Sequence, residues 1–197
     1  AWRNDGSGTF SFAGQFLGLA ATEGVAVGDV DGDRDLDLVF ANNGSADKIW
    51  LNDGSGTFTD SGQSLGTDET FEVAVGDLDG DGDLDVVTIV HNASTRVWFN
   101  DGTGVFSTSG PALGPEHYHH GALGDIDGDG DLDLAFAVHN GPNEVYLNGG
   151  SGTFSNSGQS LGNSRSEAAG LGDLDGDGDL DAAFANEGDP NTIFLNN

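Results

Sequence analysis

The sequence has no cysteine and no methionine, and only 5 of its 197 residues are lysine or arginine. Without cysteine the chain can form neither disulfides nor thiolate metal sites, so any cross-link must come from hard cations bound by oxygen. The basic residues are scattered singly, whereas binding to phosphates or to an anionic membrane surface needs them clustered. No apolar run is long enough to cross a membrane. We therefore expect neither nucleic-acid binding nor membrane insertion.

Acidic residues dominate the charge, since 34 aspartates and glutamates give a formal net charge of −29 at pH 7. Such an excess is typical of disordered chains when aromatic residues and patterning are missing. Here 36% of the residues are hydrophobic and 12 are phenylalanine, which is enough to build a core. The composition therefore favours a folded protein.

A repeat of 48 residues organises the whole chain. The segment from Val27 to Asp33 recurs from Val75, Leu123 and Leu171, with no insertion or deletion between the copies. The prediction is a single repeat domain over 1–197, with units at approximately 19–66, 67–114 and 115–162 and partial units at 1–18 and 163–197.

Each unit contains four short strand signals separated by turn signals. In the unit at 19–66 these signals cover 24–27, 36–41, 49–51 and 57–59, and no segment has a helical period. Four strands in a repeat of this length match one blade of a β-propeller. We therefore predict an all-β fold, a β-propeller built from four 48-residue, four-stranded blades.

Aromatic residues repeat with the same period. One register holds Trp2, Trp50, Trp98, Tyr146 and Phe194, and another holds Phe10, Phe58, Phe106 and Phe154. Identical aromatics in every unit indicate core residues between adjacent sheets, and stacking against a ligand is the alternative.

Four aspartate-rich loops carry the strongest chemical signal. Each has aspartate at positions 1, 3, 5, 7 and 9 of a nine-residue segment. The candidate metal ligands are Asp29, Asp31, Asp33, Asp35, Asp37, Asp77, Asp79, Asp81, Asp83, Asp85, Asp125, Asp127, Asp129, Asp131, Asp133, Asp173, Asp175, Asp177, Asp179 and Asp181. Such crowded carboxylates need a counter-charge, and alternate oxygen ligands on a glycine-rich loop suit Ca²⁺. We predict about four calcium ions, one per loop, and a solvated acidic turn without an ion is the alternative.

By analogy with the EF-hand, we expect side-chain ligands from positions 1, 3, 5 and 9 and a backbone carbonyl from position 7. The leucine at position 8, Leu36 in the first loop, is expected to point inward and anchor the loop to the second strand. Arg34 occupies position 6, where the other loops have glycine. If a left-handed conformation is needed there, arginine costs about 1 kcal/mol, so we expect the first site to be the weakest.

The segment Val25-Ala26-Val27-Gly28-Asp29-Val30-Asp31-Gly32-Asp33 and its copies resemble the FG-GAP/VCBS repeats of integrin α-subunit propellers, fungal propeller lectins and many bacterial exported proteins. The resemblance covers all four units and implies a calcium-binding propeller. The Phe-Gly and Gly-Ala-Pro marks of the family are absent. Four units are also fewer than the roughly seven blades usual in the family, although they lie within the general range of propellers.

The small number of units leaves the closure of the ring open. The N-terminal strands could complete the sheet begun by the C-terminal residues, but the third strand would then be present twice. Because each end is an unfinished sheet with a free edge, two chains could form one ring or successive chains could add head to tail. We favour a homo-oligomer or head-to-tail assembly over a lone ring of four.

Residues that occur only once stand out, because an active site needs residues that the repeat does not copy. The segment from Glu116 to His120 is the clearest case, and His91 and His139 share one register. A transition-metal site or a general base is one interpretation, and exposed polar loop residues are the other. For a saccharide the candidate contacts are His117, Tyr118, His119, His120, Phe71 and Glu72.

The sequence contains no nucleophile elbow, phosphate-cradling loop or His-Glu zinc motif, so we do not expect an enzyme. The favoured function is a non-enzymatic, extracellular calcium-binding module for adhesive or structural assembly, possible partners being a glycan or an extracellular protein. The alternative is a propeller lectin that binds glycans through variable inter-blade loops. Weak calcium sites need the millimolar calcium found outside cells. Ala1 rather than methionine at the start is expected of a processed or excised chain, in which an export signal, if any, is not shown. Asn43 and Asn92 begin N-glycosylation acceptor patterns.

Overall fold

The computed structural model describes residues 1–108, 112–114 and 117–197, and in these residues the chain is all-β without a helix. The strands are β1 (Trp2–Asn4), β2 (Phe10–Phe12), β3 (Thr22–Gly28), β4 (Asp37–Asn42), β5 (Lys48–Asn52), β6 (Phe58–Asp60), β7 (Thr70–Gly76), β8 (Asp85–Val90), β9 (Arg96–Asn100), β10 (Phe106–Thr108), β11 (Tyr118–Gly124), β12 (Asp133–Val138), β13 (Glu144–Asn148), β14 (Phe154–Asn156), β15 (Ser166–Gly172), β16 (Asp181–Asn186) and β17 (Thr192–Phe194). None of the described residues belongs to a helix that could span a bilayer.

The strands form antiparallel sheets that follow one another along the chain. Three complete sheets have four strands each: the first (β3–β6), the second (β7–β10) and the third (β11–β14). An N-terminal sheet (β1–β2) precedes them, and a C-terminal sheet (β15–β17) follows. The four strands expected in each repeat are confirmed in the complete sheets, whereas both ends of the chain carry partial sheets.

The aspartate-rich loop of each repeat is the hairpin between the first two strands of a sheet. In the first complete sheet, Gly28 at the end of β3 pairs with Asp37 at the start of β4, and the other sheets repeat this pairing. At the opposite end of the first strand, the register slips by one residue in each of the three complete sheets and in the C-terminal sheet. This bulge falls on Glu23, Phe71, His119 and Glu167. A bulge redirects the side chain of its extra residue.

Neighbouring sheets pack face to face through apolar side chains. One cluster between the second and third complete sheets includes Leu78, Ile89, Tyr118 and Phe136, all with at most 1% of their surface exposed. Tyr146 and Phe154 are buried, which confirms the core assignment of the repeated aromatics in the interior of the stack. Their counterparts in the N-terminal sheet, Trp2 and Phe10, are exposed.

The leucine at position 8 of the second, third and fourth loops packs across to the preceding sheet. A Cβ placed on Gly28 would lie 2.7 Å from Cδ1 of Leu84, and the same distance separates a Cβ on Gly76 from Leu132. The prediction that these leucines point inward is confirmed for Leu84 and Leu132, which pack against the core, and is wrong for Leu36, which has no complete sheet before it and is 59% exposed.

Asparagine side chains at the end of the third strand also join the sheets. Nδ2 of Asn100 donates a hydrogen bond to the backbone oxygen of Val30 in the preceding hairpin, at 2.7 Å. Asn148 bonds Leu78 in the same way at 2.8 Å, and Asn196 bonds Ile126 at 2.7 Å. The first three hairpins that carry the aspartates are thus held directly by the next sheet along the chain.

Candidate functional site

Each aspartate-rich hairpin curls around the carboxylate at position 1. In the first loop, Oδ1 of Asp29 accepts a hydrogen bond from the N–H of Gly32 and Oδ2 accepts one from the N–H of Arg34, both at 2.9 Å. The carboxylates at positions 3 and 5 accept bonds from the N–H two residues later. The other three loops repeat this pattern, so it follows from the local sequence rather than from neighbours.

The carboxylate at position 9 connects the hairpin to the third strand. Asp85 is fully buried, and it accepts one hydrogen bond from the N–H of Leu78 and one from the N–H of Asn100, both at 2.9 Å. Asp37, Asp133 and Asp181 are equally buried and make the equivalent pairs of bonds. Sequence reasoning assigned these residues to metal binding alone and missed this structural contribution.

The structure brings together three of the four expected side-chain ligands in each loop. Carboxylate oxygens within 4.8 Å of one another belong to positions 1, 3 and 9 in the second, third and fourth loops, and to positions 1, 3 and 5 in the first. These clusters are Asp77, Asp79, Asp85; Asp125, Asp127, Asp133; Asp173, Asp175, Asp181; and Asp29, Asp31, Asp33. Position 5 of the later loops and position 9 of the first lie outside them.

The side chain at position 7 turns away from the cluster, as expected if only its backbone carbonyl serves the site. The carboxylates of Asp35, Asp83 and Asp131 lie against glycines in the turn between the third and fourth strands, where a Cβ would collide with them. These glycines, Gly54, Gly102 and Gly150, also have positive φ. The close approach explains why the third-to-fourth turn keeps glycine in each unit.

Crowding and burial make the charged form of these carboxylates unfavourable. Burial raises the pKa of Asp85 to about 6, and the neighbouring carboxylates of Asp79 and Asp81 add to the effect. Burial likewise raises the pKa values of Asp37 and Asp133. A divalent cation among these oxygens would compensate the repulsion. Calcium suits the donor set, because it takes several carboxylate oxygens in a flexible geometry.

Arg34 has a φ of +77°, in the left-handed region. The glycines at the same position of the other loops, Gly82, Gly130 and Gly178, also have positive φ. Position 6 thus has the left-handed conformation on which the expectation of a weak first site depends, and the first loop adopts it with a residue that carries a Cβ.

The candidate saccharide contacts lie on strands rather than in loops, except for His117, which precedes β11, and Tyr118 is buried. Its ring stacks on Phe136 at a centroid distance of 4.1 Å, and its hydroxyl donates a hydrogen bond to Glu144 at 2.6 Å. Tyr118 therefore belongs to the core, and its predicted display to a ligand is wrong. Phe71 and Glu72 lie on β7, with Glu72 paired to His120 at 2.8 Å. Glu116 lies outside the described residues.

Four histidines gather where the first strands of the second and third complete sheets meet. His91 stacks on Phe71 at 4.7 Å and lies edge-on to His119 at 4.9 Å and to His117 at 5.8 Å. Burial lowers the pKa of His91, and the neighbouring histidines add to this effect. His119 in turn stacks on His139 at 4.3 Å. The shared register of His91 and His139 was visible in the sequence, but this clustering depends on packing between sheets.

His119 and His139 both contact Glu167 of the C-terminal sheet. Their Nδ1 atoms lie 2.8 Å from Oε2 and Oε1 of that carboxylate, respectively. Burial favours the neutral acid, but the hydrogen bonds and charge of the two histidines prevail and lower the pKa of Glu167. Sequence reasoning did not single out Glu167, because nothing in its own segment distinguishes it from Glu23 at the same position of the repeat.

Solved structures with the same arrangement of sheets include BBS1N, in the crystal structure of its complex with ARL6DN, soaked with lead. The two chains have 12% sequence identity and a TM-score of 0.61. The match covers 94% of this chain and 55% of that chain, so this protein spans about half the length of its structural relative. At this identity the similarity shows the fold alone. Among curated proteins, none matches this chain.

The profile of the FG-GAP-like repeat family matches residues 1–40, 29–88, 77–136 and 125–184. Successive matches begin 48 residues apart after the first, each reaching from one aspartate-rich hairpin to the next, so they follow the repeat seen in the sequence and in the sheets. Together they cover most of the chain and confirm the resemblance found on the hairpin residues. The chain therefore belongs to the FG-GAP-like repeat family.

Proposed function

We propose that this protein is a non-enzymatic, extracellular calcium-binding repeat module that acts by adhesive or structural assembly. The observation that carries this proposal is the repetition of one carboxylate cluster in all four hairpins, each joined to the third strand by its buried position-9 aspartate. A function that depended on a single carboxylate cluster would not need the cluster in all four hairpins.

Calcium would be held by the carboxylates at positions 1, 3 and 9, and in the first loop by those at positions 1, 3 and 5. When bound, the ion supplies positive charge that offsets the repulsion among these groups. The chain itself fixes the hairpin through the backbone bonds of positions 1 and 9, and through asparagine bonds from the next sheet. Calcium therefore stabilises the junctions between sheets as well as the hairpins. We take these sites to be weak ones, which are filled at the millimolar calcium concentrations found outside cells.

The two ends of the chain support assembly, because they expose surfaces that are covered in the middle of the stack. Val25 and Leu36 of the first complete sheet are 53% and 59% exposed, whereas Val73, the counterpart of Val25, is 4% exposed. At the other end Leu174 is 54% exposed and its counterpart Leu78 is 1% exposed. The exposed C-terminal sheet of one copy could thus cover the apolar residues that the first complete sheet of another copy leaves exposed. We propose that four repeats self-associate in this head-to-tail sense, either closing a ring or extending an array.

Calcium dependence is tested by thermal unfolding with and without a chelator, using two variants of one loop. Asp79→Asn changes a residue of the cluster, whereas Asp83→Asn makes the same charge change at position 7, outside the cluster. We expect chelation to lower the melting temperature of the wild-type protein. In a calcium titration, Asp79→Asn should lose about one site and Asp83→Asn should keep all of them. Equal effects of the two variants, or a melting temperature indifferent to chelation, would contradict the calcium sites.

Assembly is tested by light scattering of the calcium-loaded chain. We expect particles larger than one chain, and a return to monomers when Leu36→Glu places a charge on the exposed N-terminal face. The control is Ser55→Glu, which adds the same charge on an exposed turn. A wild-type protein that stays monomeric at high concentration would refute self-association and leave the calcium sites to be judged on their own test.

A further inference from the structure

The residues His119, His139 and Glu167 form a cluster that the repeat does not copy. The bulge position of successive sheets holds Glu23, Phe71, His119 and Glu167, and the position after the second strand holds Asn43, His91, His139 and Glu187. Two histidines in one sheet facing a glutamate in the next therefore occur at a single junction among the described residues, between the third complete sheet and the C-terminal sheet. Residues needed only to build a sheet would be expected in every unit.

The geometry directs three ligand atoms at one point. His119 and Glu167 are both bulge residues, so their side chains are turned out of the regular alternation of their strands. One ring nitrogen of His119, one of His139 and a carboxylate oxygen of Glu167 all lie within 4.8 Å of one another, and both Nδ1 atoms lie 2.8 Å from the Glu167 carboxylate. The histidine side chains are 16% exposed and that of Glu167 is 38% exposed, so the cluster is largely shielded but open on one side.

The hydrogen bonds at the cluster are incomplete. With both Nδ1 atoms donating to Glu167, Nε2 of His119 is buried without a hydrogen-bond partner among the described residues. Buried polar atoms without a partner are rare in folded proteins, because burial removes their hydrogen bonds to water. Because no described residue bonds to Nε2 of His119, nothing there holds the proton of this imidazole on Nδ1, the atom that faces Glu167.

We propose that His119, His139 and Glu167 bind one divalent transition-metal ion of the zinc class. Two imidazole nitrogens and one carboxylate with an open fourth position are a donor set that zinc and its neighbours prefer, and that calcium, which selects oxygen, does not. The metal replaces the shared Nδ1 protons, so each imidazole binds it through Nδ1 and keeps its proton on Nε2.

Arg165 opposes this metal-bound state and thereby provides a further test. Its guanidinium donates to Nε2 of His139, which favours the proton on Nδ1, and it also pairs with Glu187 at 2.8 Å. Removing Arg165 therefore takes away both a competing hydrogen bond and a positive charge close to the ion. The substitution Arg165→Gln is expected to tighten metal binding rather than weaken it.

The experiment is a titration of the full chain with Zn²⁺ in excess calcium, followed by calorimetry, and with Co²⁺, followed by visible absorption. Calcium keeps the aspartate loops loaded, so zinc is measured at the imidazole site. We expect one zinc per chain and the intense cobalt bands of a site with nitrogen ligands and low coordination number. His139→Asn and Glu167→Gln should each weaken binding at least about tenfold and remove the bands.

Two matched variants serve as controls. Glu23→Gln changes the counterpart of Glu167 in the first complete sheet, and His120→Asn changes a histidine adjacent to the cluster that pairs with Glu72 instead. Both should bind zinc as the wild-type chain does. The proposal would be overturned if cobalt in the wild-type chain gave no more than the weak spectrum typical of oxygen ligands. That result does not depend on how any variant folds. Equal zinc affinity in Glu167→Gln and Glu23→Gln would overturn it as well.

Discussion

Replacing Asp47 by asparagine should stabilise the protein at neutral pH and leave it unchanged in acid. Asp47 is 1% exposed; its Oδ1 accepts a hydrogen bond from the N–H of Asn42 and its Oδ2 one from the hydroxyl of Thr70, both at 2.7 Å. Burial raises its pKa from 3.8 to about 6, and the charge of Asp68 adds to this. Asn143, at the same position of a later repeat, accepts the equivalent backbone bond through its amide oxygen. The fold therefore already accommodates asparagine there.

The sign and size of the effect follow from the raised pKa. Because the folded protein holds this proton more tightly than the unfolded chain, the group favours folding fully below about pH 4 and loses that contribution as the pH rises through 6. Each pKa unit corresponds to about 1.4 kcal/mol, so the loss amounts to at most about 3 kcal/mol. An asparagine has no such loss. The free energy of unfolding of Asp47→Asn minus that of the wild-type chain should rise from near zero at pH 4 to between about 1 and 3 kcal/mol at pH 7.5.

The assay is urea unfolding across this pH range at a fixed, saturating calcium concentration. The pH dependence of the calcium sites is common to both proteins and cancels in the difference. Asp60→Asn is the control, because Asp60 is an exposed carboxylate paired with Lys48 at 3.2 Å and should show no such rise. A difference that is flat with pH, or an Asp47→Asn protein less stable than the wild type at pH 7.5, would refute the reasoning.

Three further substitutions test the hairpins and the junctions between sheets. Arg34→Gly should stabilise the chain by about 1 kcal/mol and tighten calcium binding at the first loop, because it removes the strain of a left-handed arginine. A calcium titration identical to that of the wild-type chain would contradict this strain. Asn100→Ala should lower the free energy of unfolding by about 2 kcal/mol, because Nδ2 of Asn100 donates to two backbone carbonyls in different sheets. Asn52→Ala, whose Nδ2 donates one exposed bond within its own sheet, should lower it less in urea unfolding. Gly76→Ala places a Cβ 2.7 Å from a leucine and should lower the free energy of unfolding by about 1–3 kcal/mol. In Gly172→Ala the nearest neighbour of the new Cβ is 3.9 Å away, so calorimetry should detect no loss of stability.

Local features were predictable from the sequence because they depend on residues close together in the chain. The strand signals at 24–27, 36–41 and 49–51 lie within β3, at β4 and within β5. The turns that curl each hairpin are formed by aspartates bonding to backbone groups two to five residues away. The positive φ of Arg34 follows from the glycine found at the same position of the other loops.

The sequence was misleading where a side chain crosses from one sheet to another. Tyr118 stands in a polar, histidine-rich segment, yet its position as first residue of β11 buries it against Phe136. Leu36 and Leu84 occupy the same place in the repeat, but only Leu84 has a preceding complete sheet to pack on. A repeat pattern assigns the same environment to every copy, whereas burial depends on whether a neighbouring sheet exists.

The amino-acid sequence by itself determined the 48-residue repeat, the all-β class and the family, and it placed a carboxylate loop in every unit, because strand pairing and tight turns are set by residues a few positions apart. Only the tertiary structure decided which carboxylates converge, since position 9 is joined to the third strand and position 7 is turned towards a glycine 19 residues away. The contact of His119 and His139 with Glu167 likewise exists only because two sheets pack together. Its residues lie 20 and 28 positions apart, a separation at which the chain imposes no direction on a side chain.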